Sequence, residues 1–152
     1  YRRWKAFAER FCGFQVIVGR CGADYNMGGS KGFAERNEYK YKSIGTVEGI
    51  KVLAGLRGEH NLPKYSDTST AYVKMGKSKG DTKDSPRTIR IFKNGEVIKD
   101  IDWGHDHDSF KKGEIHVHEY TNGVRNRIVR KPSRKERRLG IRVRNGTFIS
   151  KR

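Results

Sequence analysis

Residues 87–103, RTIRIFKNGEVIKDIDW, decide how this chain is expected to fold. Apolar and polar side chains alternate on both sides of Asn94-Gly95, which is the period-two pattern of strands with one buried face. An Asn-Gly pair between two such runs is the strongest short hairpin signal, because both central residues of a type I′ turn need positive φ. The segment therefore predicts two antiparallel strands joined by a two-residue turn.

The same signal recurs twice toward the C-terminus. It predicts a hairpin over residues 115–129, around the Asn-Gly pair at 122–123, and another over residues 141–149, around the pair at 145–146. Before the first hairpin, residues 71–75 alternate in the same way and predict one more strand. Together these segments predict an antiparallel meander of hairpins.

A short basic helix is expected between the last two hairpins. Ser133 and Glu136 stand at the spacing of a capping box, in which each residue satisfies a backbone N–H of the other. Pro132 precedes the pair, and Gly140 is expected to end the helix. The end of the chain, residues 121–152, is therefore predicted as a hairpin, a helix and a hairpin.

The N-terminal part, residues 1–59, is predicted to be helical and rich in loops. Two segments have helical apolar spacing, one strand is expected between glycines, and a glycine-rich stretch is expected to be a loop. In chain order these are helix 2–11, strand 14–18, loop 22–32 and helix 46–56. We therefore predict an α+β fold in a single domain, 1–152, with N-terminal helices packed on the antiparallel sheet.

Charge and hydropathy limit the function. The chain has 34 Lys and Arg against 17 Asp and Glu, a net charge of +17, and its apolar runs are too short for a transmembrane helix. Residues 121–152 alone hold 12 basic residues and one acidic residue. Such a segment attracts a polyanion, because neutralising phosphates releases condensed counterions. Nucleic acid is the expected partner, and no membrane insertion is expected.

Four of the five histidines lie close together in sequence, at 105, 107, 116 and 118. Alternate residues of a strand share a face, so His116, His118 and Tyr120 should project to one side while Ile115 and Val117 project to the other. If the apolar pair faces the core, the two histidines lie on the open side of the sheet. The hairpin geometry is expected to bring His105 and His107 back beside them, near Asp102 or Asp106.

Three interpretations of this cluster remain open. Imidazoles serve as general acid and base when a 2′-hydroxyl attacks the neighbouring phosphodiester, and that reaction needs no metal or other cofactor. Neutral imidazoles and carboxylates also bind zinc or a similar ion, and an open coordination position would make a hydrolytic nuclease. The third interpretation is a closed structural metal site or a polar sheet face without chemistry.

One stretch of the chain resembles a known family. The run His60-Asn61-Leu62-Pro63-Lys64, the hairpin with Arg90 and Asp100-Ile101-Asp102, then His105 and His116-x-His118, is similar to the C-terminal toxin domains of bacterial polymorphic toxins. These form the tips of contact-dependent inhibition and rearrangement-hotspot proteins. The resemblance covers roughly residues 60–120. Many members have Trp two residues after the last His, where this chain has Tyr120.

The resemblance implies a secreted or contact-delivered toxin domain with the barnase–EndoU–RelE type of fold, which cleaves RNA in the cytoplasm of a target cell. It also implies an acidic immunity protein that neutralises the toxin in the producing cell. Asp102, His105, His116 and His118 are the matched polar positions. Lys64 and Arg90 become candidate phosphate partners.

The sequence thus favours an endoribonuclease, with a tRNA among the candidate substrates. We expect His116 and His118 as the acid/base pair, His105 or His107 as a third member, and Asp102 as an orienting carboxylate. Arg90 and Lys64 are expected to stabilise charge in the transition state. RNA binding is assigned to the basic end, at Arg125, Arg127, Arg130, Lys131, Arg134, Arg137 and Arg138.

Two alternatives compete with this interpretation. A metal-dependent DNase toxin would use the same histidines as ligands of zinc or a similar ion. A non-catalytic RNA-binding protein of a ribonucleoprotein particle would also suit the basic arms and scattered aromatic residues. A binding protein should tolerate loss of His116 and His118, whereas a nuclease should not.

Overall fold

The structure is a computed structural model, and it describes residues 40–107 and 109–152. Within these residues the chain forms one eight-stranded sheet and one complete helix. The elements in chain order are β1 Tyr41–Val47, β2 Ile50–Gly55, β3 Ala71–Gly76, β4 Ser85–Lys93, β5 Glu96–Asp102, β6 His116–Thr121, β7 Val124–Arg130, α1 Arg134–Arg144 and β8 Phe148–Ser150.

The strands lie in the order β7-β6-β5-β4-β3-β2-β1-β8. From β1 to β7 sequential strands are neighbours, β8 pairs with β1, and every pairing is antiparallel except one. β2 and β3 run parallel, with Val52 opposite Val73, because residues 56–70 cross from one end of the sheet to the other. The class is α+β, as expected, but the sheet is mixed and not a purely antiparallel meander.

Two of the three predicted Asn-Gly hairpins are confirmed. Asn94 and Gly95 have φ of 53° and 80° between β4 and β5. The pair at 122–123 has φ of 51° and 75° between β6 and β7. Positive φ at both central residues is the conformation that a type I′ turn requires. The strand predicted at residues 71–75 is confirmed as β3.

The helix predicted over residues 46–56 is wrong, because this segment holds the end of β1, a turn and β2. Glu48 and Gly49 adopt φ of 51° and 76° and reverse the chain. The apolar spacing matches a helix, but β-branched residues such as Val47 and Ile50 also suit strands, and the pairing of β1 with β2 decided the outcome. The helix 2–11, strand 14–18 and loop 22–32 lie outside the described residues.

The predicted capping box is confirmed at the start of α1. The Glu136 backbone N–H donates to Ser133 Oγ at 3.2 Å, and the Ser133 N–H donates to Glu136 Oε2 at 2.7 Å. Gly140 does not end the helix. It is buried where α1 crosses the sheet, and a Cβ there would lie 3.0 Å from Ile115 Cδ1. The glycine permits close packing of helix on sheet.

The third predicted hairpin is wrong. Residues 141–143 continue α1, which ends at Arg144 with Asn145 as its C-cap. Val143 is fully buried in the core, so its side chain is used by the helix and not by a strand. β8 pairs with β1, with Phe148 opposite Val47. The end of the chain is therefore a hairpin, a helix and a strand that completes the far edge of the sheet.

The two faces of the sheet have different contents. Under α1 lies the main apolar core, which includes Ile89, Ile101, Trp103 and Val117. The other face carries a smaller apolar cluster of Leu62, Tyr72, Phe92 and Val97. Beside that smaller cluster, the same face holds buried polar and charged side chains, namely Arg90, Asp100, Asp102, His116 and His118. Within the described residues, no helix is long and apolar enough to cross a membrane.

Candidate functional site

The candidate site is built by cross-strand pairing on the face opposite α1. Asp102 of β5 lies opposite His116 of β6, and Asp100 lies opposite His118. Directly opposed residues project to the same side of a sheet, so the two carboxylates and two imidazoles share one face. Val117, between the histidines, is fully buried in the core under α1. The predicted division of β6 into an apolar and a histidine face is confirmed.

His105 and His107 join this face from the loop that follows β5. The Trp103 side chain packs in the core under α1, and its Nε1–H donates to the Pro86 carbonyl at 2.8 Å, which anchors the start of the loop. His107 and Phe110 then exchange two backbone hydrogen bonds, of 2.8 and 2.9 Å. This small bridge turns the chain back over β6. The expectation that the hairpin returns both histidines is confirmed.

The four imidazoles form a compact group, which we call the histidine cluster: His105, His107, His116 and His118. One ring nitrogen from each lies within 4.8 Å of the others. Ring centroids are 4.8 Å apart for His107 and His118 and 5.1 Å apart for His116 and His118. The Phe110 ring covers His116 from the loop side at 5.4 Å.

The expectation that the two strand histidines, His116 and His118, lie on an open surface is wrong. His116 is 0% exposed and His118 is 2% exposed, whereas the His105 side chain is 46% exposed. The loop carrying His105, His107 and Phe110 lies over them. A direct exchange of protons with bulk solvent or with a large substrate is therefore available to His105 and not to His116 or His118.

Burial also sets the charge of these two imidazoles. Desolvation lowers the pKa of His118 to about 3, and the positive charge of Arg125 adds to the effect. Desolvation likewise lowers the pKa of His116, although its hydrogen bond to the Glu114 carbonyl opposes the change. A buried imidazole prefers its neutral form because the low-dielectric interior solvates the cation poorly. Both strand histidines are neutral at pH 7.

A neutral imidazole normally forms hydrogen bonds through both ring nitrogens. In His116 and in His118, one nitrogen forms none within the described residues. His116 Nδ1 lies 3.0 Å from the Glu114 carbonyl oxygen and can donate its proton there. Within the described part of the chain, Nε2 of His116 and Nε2 of His118 are buried without a hydrogen-bond partner. A buried polar atom without a partner is costly and calls for a specific explanation. Both atoms belong to the histidine cluster.

Asp102 holds the exposed member of the cluster. Its Oδ2 lies 3.3 Å from His105 Nδ1, and its Oδ1 accepts the Gly104 backbone N–H at 2.9 Å. Arg125 of β7 approaches the same Oδ2 at 4.0 Å. The predicted role of Asp102 as an orienting carboxylate is consistent with this geometry. Its partner is His105.

Arg90, predicted to stabilise phosphate charge, is already occupied. Its guanidinium donates to both oxygens of Asp100, at 2.7 and 2.9 Å, and to Tyr120 Oη at 2.7 Å. A further N–H donates to the Leu62 carbonyl at 2.5 Å. We call Arg90, Asp100 and Tyr120 the arginine network. The positive charge of Arg90 is balanced inside the protein, so it has a structural role.

Tyr120 completes the arginine network at the position where the resembling family often has Trp. Its hydroxyl also donates to Asp100 Oδ2 at 2.8 Å. Burial raises the pKa of Tyr120 to about 12, and the Asp100 carboxylate adds to the rise. The hydroxyl therefore stays protonated and can donate at any ordinary pH. A tryptophan at this position could not bridge the same two charged groups in this way.

Lys64 is not brought to the histidine cluster. Its carbonyl accepts the Val97 N–H at 3.0 Å, which places it beside the start of β5. Asp102 and the cluster lie at the other end of that strand, five residues on, a separation of about 17 Å at the usual rise of a strand. The lysine is exposed and lies at the edge of the smaller apolar cluster.

A cavity of about 310 Å³ opens beside the exposed edge of the histidine cluster. His105 and Asp102 form part of its wall, and most of the charged side chains that line it are basic. Four lysines and arginines besides Arg90 line it, namely Lys74, Lys77, Arg87 and Arg125. Arg87 is paired with Asp81 at 3.0 Å, but the cavity as a whole is suited to an anionic group.

The predicted RNA-binding residues occupy three kinds of position. Arg125 lines the cavity, and Arg130 instead pairs with Glu119 and Glu136 at 3.0 and 2.8 Å and joins β7 to α1. The other five are exposed on β7, on α1 or on the segment that joins them, and these are Arg127, Lys131, Arg134, Arg137 and Arg138. Their positions leave them available to solvent or to a polyanion.

Sequence reasoning missed the basic residues of β3 and β4 that line the cavity. Lys74 and Arg87 lie in ordinary alternating strands, and nothing in their local pattern distinguishes them from solvated surface charges. They reach the cavity because β3 pairs with β4, with Lys74 opposite Thr88. Only the strand order places them beside Asp102.

Comparisons with known proteins leave the site to be judged on its own geometry. No protein-family model matches the chain, and comparison with curated proteins and with solved structures finds no significant match. The resemblance to bacterial toxin domains therefore remains an expectation that depends on the quoted residues.

Proposed function

We propose that the protein is the nuclease domain of a contact-delivered bacterial toxin and that it cleaves RNA where the basic cavity meets the histidine cluster. The observation that carries this proposal is the position of His105. It is the exposed member of the cluster, its Nδ1 is held by Asp102 at 3.3 Å, and it forms part of the wall of the cavity. A proton-transfer group therefore lies beside a site for phosphate.

The cavity supplies the binding half of this function. Lys74, Lys77 and Arg125 line it together with His105 and attract the phosphodiester backbone. The exposed arginines of β7 and α1 extend the positive surface beyond the cavity. A chain of phosphates can thus be held at several points while one of them lies next to His105.

The chemistry expected at this place is cleavage with the 2′-hydroxyl as internal nucleophile. His105, oriented by Asp102, is in contact with the cavity and is the candidate for accepting the 2′-hydroxyl proton as that oxygen attacks phosphorus, while the departing 5′-oxygen takes a proton from water. Burial of His116 and His118 argues against their serving as the acid/base pair that the sequence suggested. The proposal therefore keeps RNA as substrate and assigns the proton transfer to His105.

The wider expectations are part of the same proposal. Delivery into the cytoplasm of a target cell, a tRNA as substrate and an acidic immunity protein follow from the toxin resemblance, and the net charge of +17 suits an acidic partner. The barnase–EndoU–RelE type of fold is also proposed, since α1 packs on one face of a mostly antiparallel sheet and the candidate site lies on the other.

The test uses labelled RNA and DNA of identical sequence with wild-type protein, His105→Ala and His60→Ala. We expect cleavage of RNA and not of DNA, and a loss of about 10²- to 10⁴-fold in rate for His105→Ala, the usual contribution of a positioned acid or base. His60→Ala removes the exposed histidine outside the cluster and should leave the rate unchanged.

Three outcomes would contradict the proposal, each in a different way. Equal cleavage of DNA excludes a 2′-hydroxyl mechanism and favours the metal-dependent DNase alternative. Binding of RNA without cleavage of either polymer favours the non-catalytic RNA-binding protein. Full activity of His105→Ala removes the assigned role of that residue. Each assay is run both with added Zn²⁺ and after treatment with EDTA, and RNA cleavage in either condition supports the proposal.

A further inference from the structure

We propose that His107, His116 and His118 bind one divalent first-row transition-metal ion, with the fourth coordination position facing His105 and the basic cavity. The binding site is argued from geometry alone and does not depend on the proposed nuclease function. The role given below to the ion, contact with a phosphate oxygen, does rest on that function.

The spacing of the ring nitrogens is compatible with a bound ion. Four nitrogens at the usual zinc distance of about 2.0–2.1 Å lie about 3.3 Å from one another in a tetrahedron. Here one nitrogen from each histidine lies within 4.8 Å of the others. Drawing the rings around an ion requires each nitrogen to move by less than about 1 Å, a shift within reach of small side-chain rotations.

Two ring nitrogens of the cluster are available to an ion. Nε2 of His116 and Nε2 of His118 are buried without a hydrogen-bond partner in the described part of the chain. A metal ion satisfies such a lone pair, and the interior is otherwise a poor environment for it. His116 has its other nitrogen directed to the Glu114 carbonyl, the second-shell arrangement that orients most metal-binding histidines.

Three of the four histidines are held in place as permanent ligands. His116 and His118 are fixed in β6, and the backbone bridge to Phe110 fixes His107 over them, with its ring centroid 5.4 and 4.8 Å from theirs. His105 differs in exposure, because its side chain is 46% exposed, so it is the histidine that a substrate can most readily displace from an ion. Three protein ligands and a replaceable fourth position are typical of a catalytic metal site, whereas four fixed ligands are typical of a structural one.

Imidazole ligands select the class of ion. Three neutral nitrogens suit Zn²⁺, Co²⁺, Ni²⁺ or Cu²⁺ better than Mg²⁺ or Ca²⁺, which prefer oxygen. Because Arg90 is balanced by Asp100, it cannot supply the charge stabilisation that the sequence assigned to it. An ion at this place would polarise a phosphate oxygen in the adjacent cavity and so provide that stabilisation.

The experiment measures binding directly. Protein freed of metal by EDTA is titrated with Zn²⁺ by calorimetry and with Co²⁺ by visible absorption, which reports tetrahedral nitrogen coordination. We expect one ion per chain for the wild type, for His60→Ala and for His105→Ala, and loss of measurable binding for His118→Ala and His107→Ala. Zn²⁺ should also raise the midpoint of thermal unfolding of the wild type and leave that of His118→Ala unchanged.

Two variants guard against a trivial result. His118 is buried in a strand, so circular dichroism must show that His118→Ala is folded. His107 lies in a loop, and replacing its side chain by alanine is less disruptive to the fold. Absence of Zn²⁺ and Co²⁺ binding by the wild type would overturn the proposal, as would unchanged binding by both His107→Ala and His118→Ala. Loss of binding by His105→Ala would overturn the three-ligand assignment.

Nuclease assays of the same samples separate the two proposals. One ion bound with no cleavage of RNA supports the metal site and contradicts the nuclease function. Cleavage of RNA at the same rate by metal-free and Zn²⁺-loaded protein supports the nuclease function and contradicts the role of the ion in it. Cleavage that disappears in EDTA and returns with Zn²⁺ supports both.

Discussion

Two neighbouring groups on one face of the sheet differ in whether their buried polar atoms have hydrogen-bond partners. In the arginine network, the Arg90 guanidinium is matched by Asp100, Tyr120 and the Leu62 carbonyl. In the histidine cluster, which adjoins this network on β6, Nε2 of His116 and of His118 lack a partner within the described residues. The two groups are also in cross-strand contact, since Asp100 of one lies opposite His118 of the other.

The contrast separates a structural group from a candidate functional one. A fully satisfied network gives a ligand nothing to bind, because every donor and acceptor is already used. An unsatisfied group costs free energy in the isolated protein and can recover it when something binds. Four predictions test this comparison, beginning with the largest expected effect and ending with the smallest.

The largest effect is expected in the arginine network. Arg90→Met leaves Asp100 buried without its cation, and breaking a buried ion pair from one side costs about 3–5 kcal/mol. Urea unfolding measures this change. The matched control is Asp81→Asn, which breaks the more exposed Arg87–Asp81 pair and should cost less than about 1 kcal/mol. Similar losses in both variants would contradict the distinction drawn here.

The opposite sign is expected in the histidine cluster. In metal-free protein, His118→Leu removes a buried nitrogen that has no partner and should raise the free energy of unfolding by about 1 kcal/mol. With Zn²⁺ present the order should reverse, because only the wild type gains from the ion. Urea unfolding in EDTA and in Zn²⁺ gives both values. A marked loss of stability in EDTA would show that the imidazole is structural.

Glu136, whose charge is balanced on the face of the sheet that packs against α1, gives a prediction for the pH dependence of stability. Hydrogen bonds from Arg130 and Lys99, against the opposing effect of burial, hold the pKa of Glu136 well below its usual value of 4.5. A depressed carboxyl pKa stabilises the fold above the unfolded pKa, and this contribution is lost as pH falls toward the folded pKa. Glu136→Gln should therefore cost about 1–3 kcal/mol at pH 7, the value of hydrogen bonds to a charged group.

The pH dependence distinguishes this charge effect from a simple loss of packing. The difference between wild type and Glu136→Gln should be constant from pH 7 to about pH 5 and should shrink as the pH falls below about 4.5. Glu96→Gln, at an exposed position at the start of β5, should stay within about 0.5 kcal/mol of wild type. A difference that does not change with pH would assign the loss to packing.

The smallest effect concerns RNA binding. Arg125→Ala removes one cation from the cavity and should lower the slope of log affinity against log salt by about 0.7–0.9, the contribution of one phosphate contact. Lys151→Ala, at an exposed position directly after β8 and two strands beyond β3's neighbour in the strand order, is the control and should leave the slope unchanged. Fluorescence anisotropy at several salt concentrations measures both. Equal slopes for wild type and Arg125→Ala would remove this arginine from the binding surface.

Local sequence patterns predicted the conformation correctly wherever residues close in sequence decide it. The Asn-Gly pairs at 94–95 and 122–123 form turns because their own φ preferences demand it. The capping box of Ser133 and Glu136 forms because the two side chains lie one turn apart. The clustering of the histidines was also foreseeable, since a hairpin must return the chain beside itself.

Local patterns failed wherever a distant contact decided the outcome. Residues 141–149 contain an Asn-Gly pair, but burial of Val143 and of Gly140 against the sheet favours the helix. Residues 46–56 match a helical period, but the Glu48-Gly49 turn and pairing with β1 make them strands. In both cases tertiary packing outweighed a weak local preference.

By itself, the sequence determined the hairpins, the capping box and the face of β6 on which the histidines lie, because these follow from turn geometry and from the two-residue period of a strand. Only the tertiary structure decided that His116 and His118 are buried, that Arg90 is balanced by Asp100 and that His105 meets a basic cavity. Burial and charge balance depend on which strands are neighbours and on where the loop over β6 lies. Those contacts join residues far apart in sequence, and no local sequence pattern predicts them.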